Sequence, residues 1–563
     1  MAVFHIPDQV FRHSFDKNAP AQFFALLAVA AIFSIIITIK ARRFRFQRIS
    51  IYAAIGLVAT QVISLLMSGN LLASLFGDVG RFVGVASTIA LLVVSIFHSQ
   101  FNFKALLQLL RFYLIAVELV VLFGIAQRFN FLELPGDQGV ASTLGNSDFF
   151  AAFVGTSFPL LFLLAFNSPR RFQTTLGFLA GLNMWALYLA GPLQGYLDVA
   201  FVALGILVFA IRKYLPRRDI SLNARTYIGT FAVIIWAEFI FLMPFIGHFV
   251  PVLGNDIQVK IRSNFWLAGM RQFFSHPFTG VGPDQYGNNY EQYRTLEDIQ
   301  KYTNILSNDA HSASVQTLAT TGILGTLAFL ILITLVIRSL LILWDVRTIN
   351  RKSIFMLGLY IFVYLTNSFI SPITLAHKYL FWAICGFIVG QVYRLPARKS
   401  AKAFMERITA ISTAVVLALI AGFFAQAQLN FLTHIEKYAT DNNQISNYVS
   451  NATLPCMMYF DAELLMIKTR GVQPAAEFAE VKAVQNPRCV SALIAQLRAE
   501  IDAANVDTLK PLVYKLNEVA PARSETIALG MYYVNRTGDQ YLAKVLQRKM
   551  KTLGLVYVPG QLG

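Results

Sequence analysis

In the stretch SNDAHSASVQTLATTGILG, residues 307–325, a single histidine, His311, stands where a polar loop turns into an apolar run. An imidazole titrates near neutrality, so a histidine here is suited to moving a proton in a transfer reaction. Its bland alternative is to anchor the start of a helix at an interface. About fifty residues upstream, IRSNFWLAGMRQFFSHP sets Arg262 and Arg271 among apolar residues at helical spacing, up to a break at Pro277. A guanidinium there can grip an anion with its fork of N–H groups, or simply extend its head toward solvent or lipid headgroups. Between the two lies GVGPDQYG, a glycine-rich turn whose backbone N–H groups can approach a ligand closely. Within it Asp284 reads as a ligand contact or as turn chemistry, and Tyr286 as a ligand contact or as interfacial packing.

The elements that must position these residues are membrane helices. The 563-residue chain is 56% hydrophobic and 14% charged, with a mean hydropathy of +0.56, too apolar to bury its hydrophobic surface in one aqueous core. Runs of about 17–25 largely uncharged residues can cross the hydrocarbon as helices. Twelve such spans are expected, at 21–39, 51–68, 83–98, 106–126, 149–166, 174–190, 197–211, 227–250, 322–343, 354–370, 379–392 and 408–425. The expected class is therefore all-α: a polytopic membrane protein with about twelve spans, a long helical extracytoplasmic loop and a soluble helical repeat tail.

The net charge of +17 does not point to nucleic acid. KARRFRFQR, SPRR, RKYLPRR, RTINRK and YRLPARKSAKAFMER fill short connections that fall on one side of the count, which is the basic-inside pattern of membrane topology. Some attraction to anionic membrane lipid goes with it, and no basic stripe interleaved with aromatics suggests a nucleic-acid surface. The protein is thus expected in the cytoplasmic membrane, with the loop at about 251–321 and everything after 425 on the outer side. The same count puts the N-terminus outside, where MAVFHIPDQVFRHSFDKNAP carries no cleavable signal pattern.

Residues 1–425 read as the membrane domain and 426–563 as the tail. Pro487 and Pro521 stand 34 residues apart, each ahead of a helical stretch, and Gly471, Asn505 and Gly538 mark turns at a similar interval. That is the period of tetratricopeptide repeats, whose curved surfaces commonly bind a protein partner. Cys456 and Cys489 lie in this exterior region, and a bridge between them is an open possibility.

Other outer residues carry two readings each. Arg81, in GDVGRF, is an anion contact or a plain span-start charge. Asn146 is a ligand contact or the N-cap of the span at Phe149. Arg111 and Glu118 lie inside the fourth span, seven residues apart and so on one helix face, where they can line a cavity.

Taken in order, R(x3)W, HP(x2)GVGP and an Ala-His pair leading into Q(x2)A(x2)G(x2)G, all between two spans, resemble the O-antigen ligase and polymerase superfamily of lipid-linked glycan transferases. LFGDVGRFVG at 75–84 and STLGNSDFFAAF at 142–153 resemble other outer pieces of that family. The resemblance implies transfer of an oligosaccharide or polysaccharide from an undecaprenyl-diphosphate-linked donor to a hydroxyl of a glycan, lipid or cell-wall acceptor, with inversion and without cofactor or metal. It implies catalytic roles for His311 and Arg262. Expulsion of a diphosphate calls for stabilisation of negative charge, and the attacking hydroxyl must lose a proton. Arg262 would hold the diphosphate and His311 would orient or deprotonate the acceptor, with Arg81, Arg271, Asp284, Tyr286, Gln194 and Asn146 as substrate-binding candidates. One departure stands out: family members carry a basic residue in the turn before the span at Leu197, whereas AGPLQGYLD places Gln194 there.

Ligase and polymerase differ only in the acceptor, and the sequence leaves both open. The rival from another class is a lipid-linked glycan transporter or flippase, which would be expected to show repeated spans and interrupted helices; the sequence displays neither. A membrane scaffold would leave His311 and Arg262 without a role.

Overall fold

A computed structural model describes residues 19–39, 48–77, 81–131, 140–211, 220–242, 257–295, 307–392, 506–521 and 524–553, with isolated residues at 298, 301 and between 490 and 500. The expected span at 408–425, the outer N-terminal segment, Cys456 and Cys489 lie outside the described residues.

The order is α1 (Ala19–Ile39), α2 (Arg48–Met67), α3 (Leu71–Phe76), α4 (Val85–His98), α5 (Phe103–Arg128), a 3-10 turn at Ser142–Leu144, α6 (Ser147–Gly155), α7 (Phe158–Phe166), α8 (Arg170–Ala190), α9 (Leu193–Ile211) and α10 (Leu222–Phe241). Then come α11 (Ile257–Ser275), α12 (Tyr286–Tyr293), α13 (Ala313–Val346), α14 (Arg351–Ile370) and α15 (Leu375–Val392), and in the tail α16 (Val506–Val519), α17 (Ser524–Thr537) and α18 (Gln540–Leu553). The chain is an all-helical polytopic membrane protein. Helices α1, α2, α4 to α10 and α13 to α15 coincide with the expected spans, with α6 and α7 sharing one. Seven stretches among the described residues are long and apolar enough to cross a membrane unaided. Several starts are written locally: Asn102 caps α5 through Ala105 N–H at 2.9 Å and Asn350 caps α14 through Ser353 N–H at 2.8 Å, each satisfying a donor that the first helical turn leaves open.

Apolar side chains face both inward and outward, as a lipid-embedded bundle requires. Leu106, Leu110, Phe150, Tyr360 and Phe387 are fully buried. Phe112, Ile115, Leu119 and Leu122 instead form an exposed stripe along α5, and Ile228, Phe231 and Ile235 another along α10, surfaces that only a hydrocarbon solvent makes stable.

Helix α13 is the axis, packing on α2, α10, α11, α14 and α15. It is broken at Gly322, whose φ is 63° and ψ −165°, at the residue where the expected span begins. The break lets the backbone of 277–282 lie against the helix: Ile323 N–H donates to Pro277 O at 2.9 Å, and Val281 and Gly282 N–H donate to Ala319 and Thr320 O at 2.9 and 3.0 Å. A Cβ on Gly322 would fall 2.4 Å from Phe278 O, and one on Gly280 would fall 2.3 Å from the Thr320 carbonyl carbon. Both positions therefore require glycine. The joint between α6 and α7 is gentler, since Thr156 and Ser157 keep right-handed helical backbone angles.

The two ends of the bundle differ. At one, Asn167 donates to Ser353 Oγ at 2.8 Å and accepts from Asn350 at 3.1 Å, tying the SPRR and RTINRK connections together on a single side, as expected. At the other end sit α11, α12 and His311. Tail helix α16 packs against α12, so the described tail is on the loop's side. Its helices α17 and α18 turn at Gly538 (φ 70°), where a repeat turn is expected.

Candidate functional site

The site grows from the segment just before α13. Asp309 Oδ1 accepts the His311 N–H at 2.6 Å, Ala310 N–H donates to Gln316 Oε1 at 2.8 Å, and Ser307 Oγ donates to Asp309 O at 2.6 Å. These bonds hold His311 at a φ of 53°, a left-handed conformation that a non-glycine residue adopts only when its surroundings dictate it. The imidazole leans on the Phe265 ring of α11, centroids 5.0 Å apart. Its Nδ1 lies 3.0 Å from Asp309 O. A carbonyl only accepts, so Nδ1 carries the hydrogen and Nε2 carries the lone pair.

Charges converge on this ring from separate elements. Arg81, ahead of α4, forms an ion pair with Asp309, both side chains largely buried. Arg262 of α11 pairs with Asp148 of α6 at 3.5 Å. Both guanidiniums and the Asp309 carboxylate are within electrostatic reach of His311. Burial is the main influence and holds the imidazole below its ordinary pKa, with Arg262 and Arg81 adding to the drop and Asp309 opposing it. The ring is therefore neutral around pH 7 and able to take a proton on Nε2.

The structure thus brings His311, Arg262 and Arg81 together, and the other candidates have structural engagements. Asn146 accepts from Asp148 N–H at 2.7 Å as the N-cap of α6, which aims Asp148 at Arg262. Tyr286 is fully buried and donates to Phe265 O at 2.7 Å, so it packs the loop. Arg271 donates to Arg294 O at 3.2 Å, tying α11 to the end of α12. Asp284, buried with φ at 57°, accepts from Val83 N–H at 3.1 Å and pins the turn to the start of α4. Four backbone N–H groups of GVGPDQYG are committed to backbone carbonyls rather than open to a ligand: Val281 and Gly282 donate to α13, and Gly280 and Gln285 donate to His276 O and Gly282 O.

Gln194 has a structural engagement as well. Its side chain donates to Asn367 Oδ1, and Asn367 Nδ2 donates to both carboxylate oxygens of the buried Asp198 at 2.8 Å. This is a polar lock between α9 and α14. Arg111 and Glu118 do not line one cavity either: Arg111 is exposed, and Glu118 accepts from Asn183 of α8 at 3.3 Å. A helix face broad enough to hold both also spans the boundary between core and lipid.

Sequence reasoning missed three charged members. Asp309 and Asp148 are the carboxylates that hold the two arginines. Lys378, in the first turn of α15, is half-buried and within electrostatic reach of Arg81, Asp284 and Asp309. A signal existed for the lysine: it is a cation at the end of a span opposite the basic connections, which runs against the charge bias of those connections.

No curated protein matches the chain. Residues 151–330, from α6 into α13 and including Arg262 and His311, match the family model described as O-Antigen ligase, so this segment is similar to the O-antigen ligase superfamily.

Proposed function

We propose that this protein is a membrane glycosyltransferase that moves an oligosaccharide or polysaccharide from an undecaprenyl-diphosphate carrier to an acceptor hydroxyl on the outer side of the cytoplasmic membrane. The match of residues 151–330 to the O-antigen ligase family supports a membrane glycan ligase or polymerase role. The single observation carrying the finer reading is the convergence of a neutral His311 with Arg262 and Arg81 where the loop enters α13. A polyprenyl carrier presents its diphosphate at this depth, between hydrocarbon and water.

In the proposed step the acceptor oxygen attacks the anomeric carbon from the face opposite the carrier. The carbon–oxygen bond to the diphosphate breaks, its electron pair leaves with the carrier, and the configuration inverts. The hydroxyl proton passes to Nε2 of His311, which Nδ1–H bonding to Asp309 keeps in the accepting tautomer. Arg262 and Arg81 offset the charge that gathers on the departing diphosphate. The interruption at Gly322 does not favour transport, because it sits at the loop boundary and serves the seam with residues 277–282 rather than opening a midplane site.

The test is transfer from purified lipid-linked glycan by protein in detergent or nanodiscs. His311→Ala should lose about 10²- to 10⁴-fold in rate while keeping donor binding. Full retained transfer by that variant would remove His311 from the mechanism. Flux of the lipid-linked glycan between leaflets without any transfer would replace the enzyme by a transporter.

A further inference from the structure

Away from the His311 cluster, α9, α10, α13 and α14 leave a groove of about 740 Å³ between them, within the usual size of ligand pockets. Its apolar walls open outward, with Leu204, Val208 and Phe362 exposed. Glycines make the floor. Gly205 lets α9 lie against α14, since a Cβ there would fall 2.8 Å from Leu359 Cδ1. Gly358 leaves a gap, because a Cβ on it would meet nothing closer than Leu340 Cδ1 at 3.8 Å. The surrounding rings hold one another in place: Phe201 stands edge-on to Trp236 at 5.9 Å and to Phe362 at 5.7 Å, and Trp236 Nε1 donates to Thr366 Oγ1 at 3.0 Å. The groove is thus shaped before anything enters it.

Its length and its charge both select an occupant. Arg225 lines it at the basic end of the bundle and Trp236 lines its far end, eleven residues along α10. At 1.5 Å per residue that is roughly 16 Å, about half the thickness of a hydrocarbon layer, which suits a chain rooted in one leaflet. At the basic rim three guanidiniums meet one carboxylate. Arg225 is bound to Asp345, Nη1 to Oδ1 at 3.2 Å. Arg338 donates to the neutral Asn223 Oδ1 at 2.7 Å, and Arg351 lies over the ring of Trp344, itself a wall of the groove, at 5.2 Å. Asp345 is the only carboxylate among the described residues 220–226 and 338–354, so the rim stays cationic after that pair is counted.

We infer that this groove seats an anionic phospholipid from the leaflet at the basic end, with an acyl chain over Gly205 and Gly358 and the phosphate at the rim beside Arg338 and Arg351. The apolar walls bind any acyl chain, and the guanidiniums supply the preference for a net negative headgroup. The seat is independent of the transfer reading.

The test uses full-length protein stripped of lipid in detergent and offered dioleoyl phosphatidylglycerol or dioleoyl phosphatidylcholine, which share their chains. Bound lipid is counted by native mass spectrometry, and the unfolding temperature is followed. The unmutated protein should hold phosphatidylglycerol about tenfold or more tighter than phosphatidylcholine and unfold at a higher temperature with it. Gly358→Leu fills the gap in the floor and should abolish this site while leaving the unfolding temperature of the lipid-free protein unchanged or higher. Arg338→Gln combined with Arg351→Gln keeps the groove open and should bring the two affinities within about threefold of each other, a change of preference that a folding defect would not produce. Equal affinity of the unmutated protein for the two lipids would overturn the inference. So would a tight site that survives Gly358→Leu, or a preference that the double arginine variant leaves intact. A dimer that Gly358→Leu dissolves, in protein with no tight lipid site, would give the groove to a second copy of the chain instead.

Discussion

At the basic end of the bundle, Arg170, Arg171, Arg347 and Lys352 stand exposed, and Arg225 and Asp345 form an ion pair with side chains 30% and 44% accessible. Arg351 lies over the Trp344 ring at 5.2 Å and Lys352 over Phe166 at 5.6 Å, so the stems pack and the heads reach outward. At the opposite end, Arg81 and Asp309 are 11% and 4% accessible and Arg294 and Asp298 are 5% and 2%. One α13 joins both environments, its Val346 end among the exposed cations and its Ala313 end beside the buried ones. The lesson lies in the cost. Exposed cations are cheap to hold and set topology, whereas buried pairs pay a desolvation penalty that stability alone does not repay. The loop end is where the buried charge is kept.

The strongest way to break this comparison is at Asp309. Asp309→Ala would leave Arg81 buried without its partner and His311 without the acceptor for its N–H. Loss of one member of a buried pair typically costs about 3–5 kcal/mol, so thermal unfolding in detergent should fall sharply and transfer should be lost with it. Gly322→Ala comes next. It places a side chain in the left-handed region and into Phe278, for a loss of about 2–4 kcal/mol, read as a lower unfolding temperature with the seam to 277–282 more accessible to proteolysis.

The pH dependence is a subtler probe. Because burial and the two arginines hold His311 below the ordinary imidazole range, the base stays unprotonated into mildly acid solution. The acid limb of kcat/KM should therefore lie below the ordinary imidazole pKa. Arg262→Gln removes a cation and should move that limb toward higher pH. Asp309→Asn removes a carboxylate that favours the charged ring and should move it lower still. Profiles shifting in the reverse senses would mean that another group sets the limb. At the small end of the scale, Arg225→Ala at the exposed pair should change stability by less than about 1 kcal/mol and leave transfer rates as they were. A loss comparable to that of Asp309→Ala would erase the distinction between the two ends.

How much of this was legible beforehand follows from the range of each constraint. A span is dictated by about 20 consecutive apolar residues, so α1, α2, α4 to α10 and α13 to α15 could be placed from local composition. Arg262 and His311 could be paired because one loop carries both and its order of motifs is distinctive. Lys378, Asp148 and Arg81 reach the same spot from α15, α6 and the connection into α4, and no local pattern encodes a meeting between helices so far apart in the chain. The glycine-rich turn shows the opposite error. Its glycines do signal close backbone approach, but the partner is the backbone of α13 rather than a ligand. Gln194, singled out as a departure from the family's pattern, has its amide bound into the Asn367 and Asp198 lock, a role that only packing reveals.

The spread of the charged cluster along the chain, from Arg81 to Lys378, also sets the order in which the protein becomes competent during synthesis. Arg81, Asp148 and Arg262 emerge from the ribosome well before the helix that bears Lys378. They cannot be joined by it until α15 has entered the bilayer and turned its first residues outward. A nascent chain arrested after α14 would hold all of the family-matching segment and the histidine, yet lack Lys378.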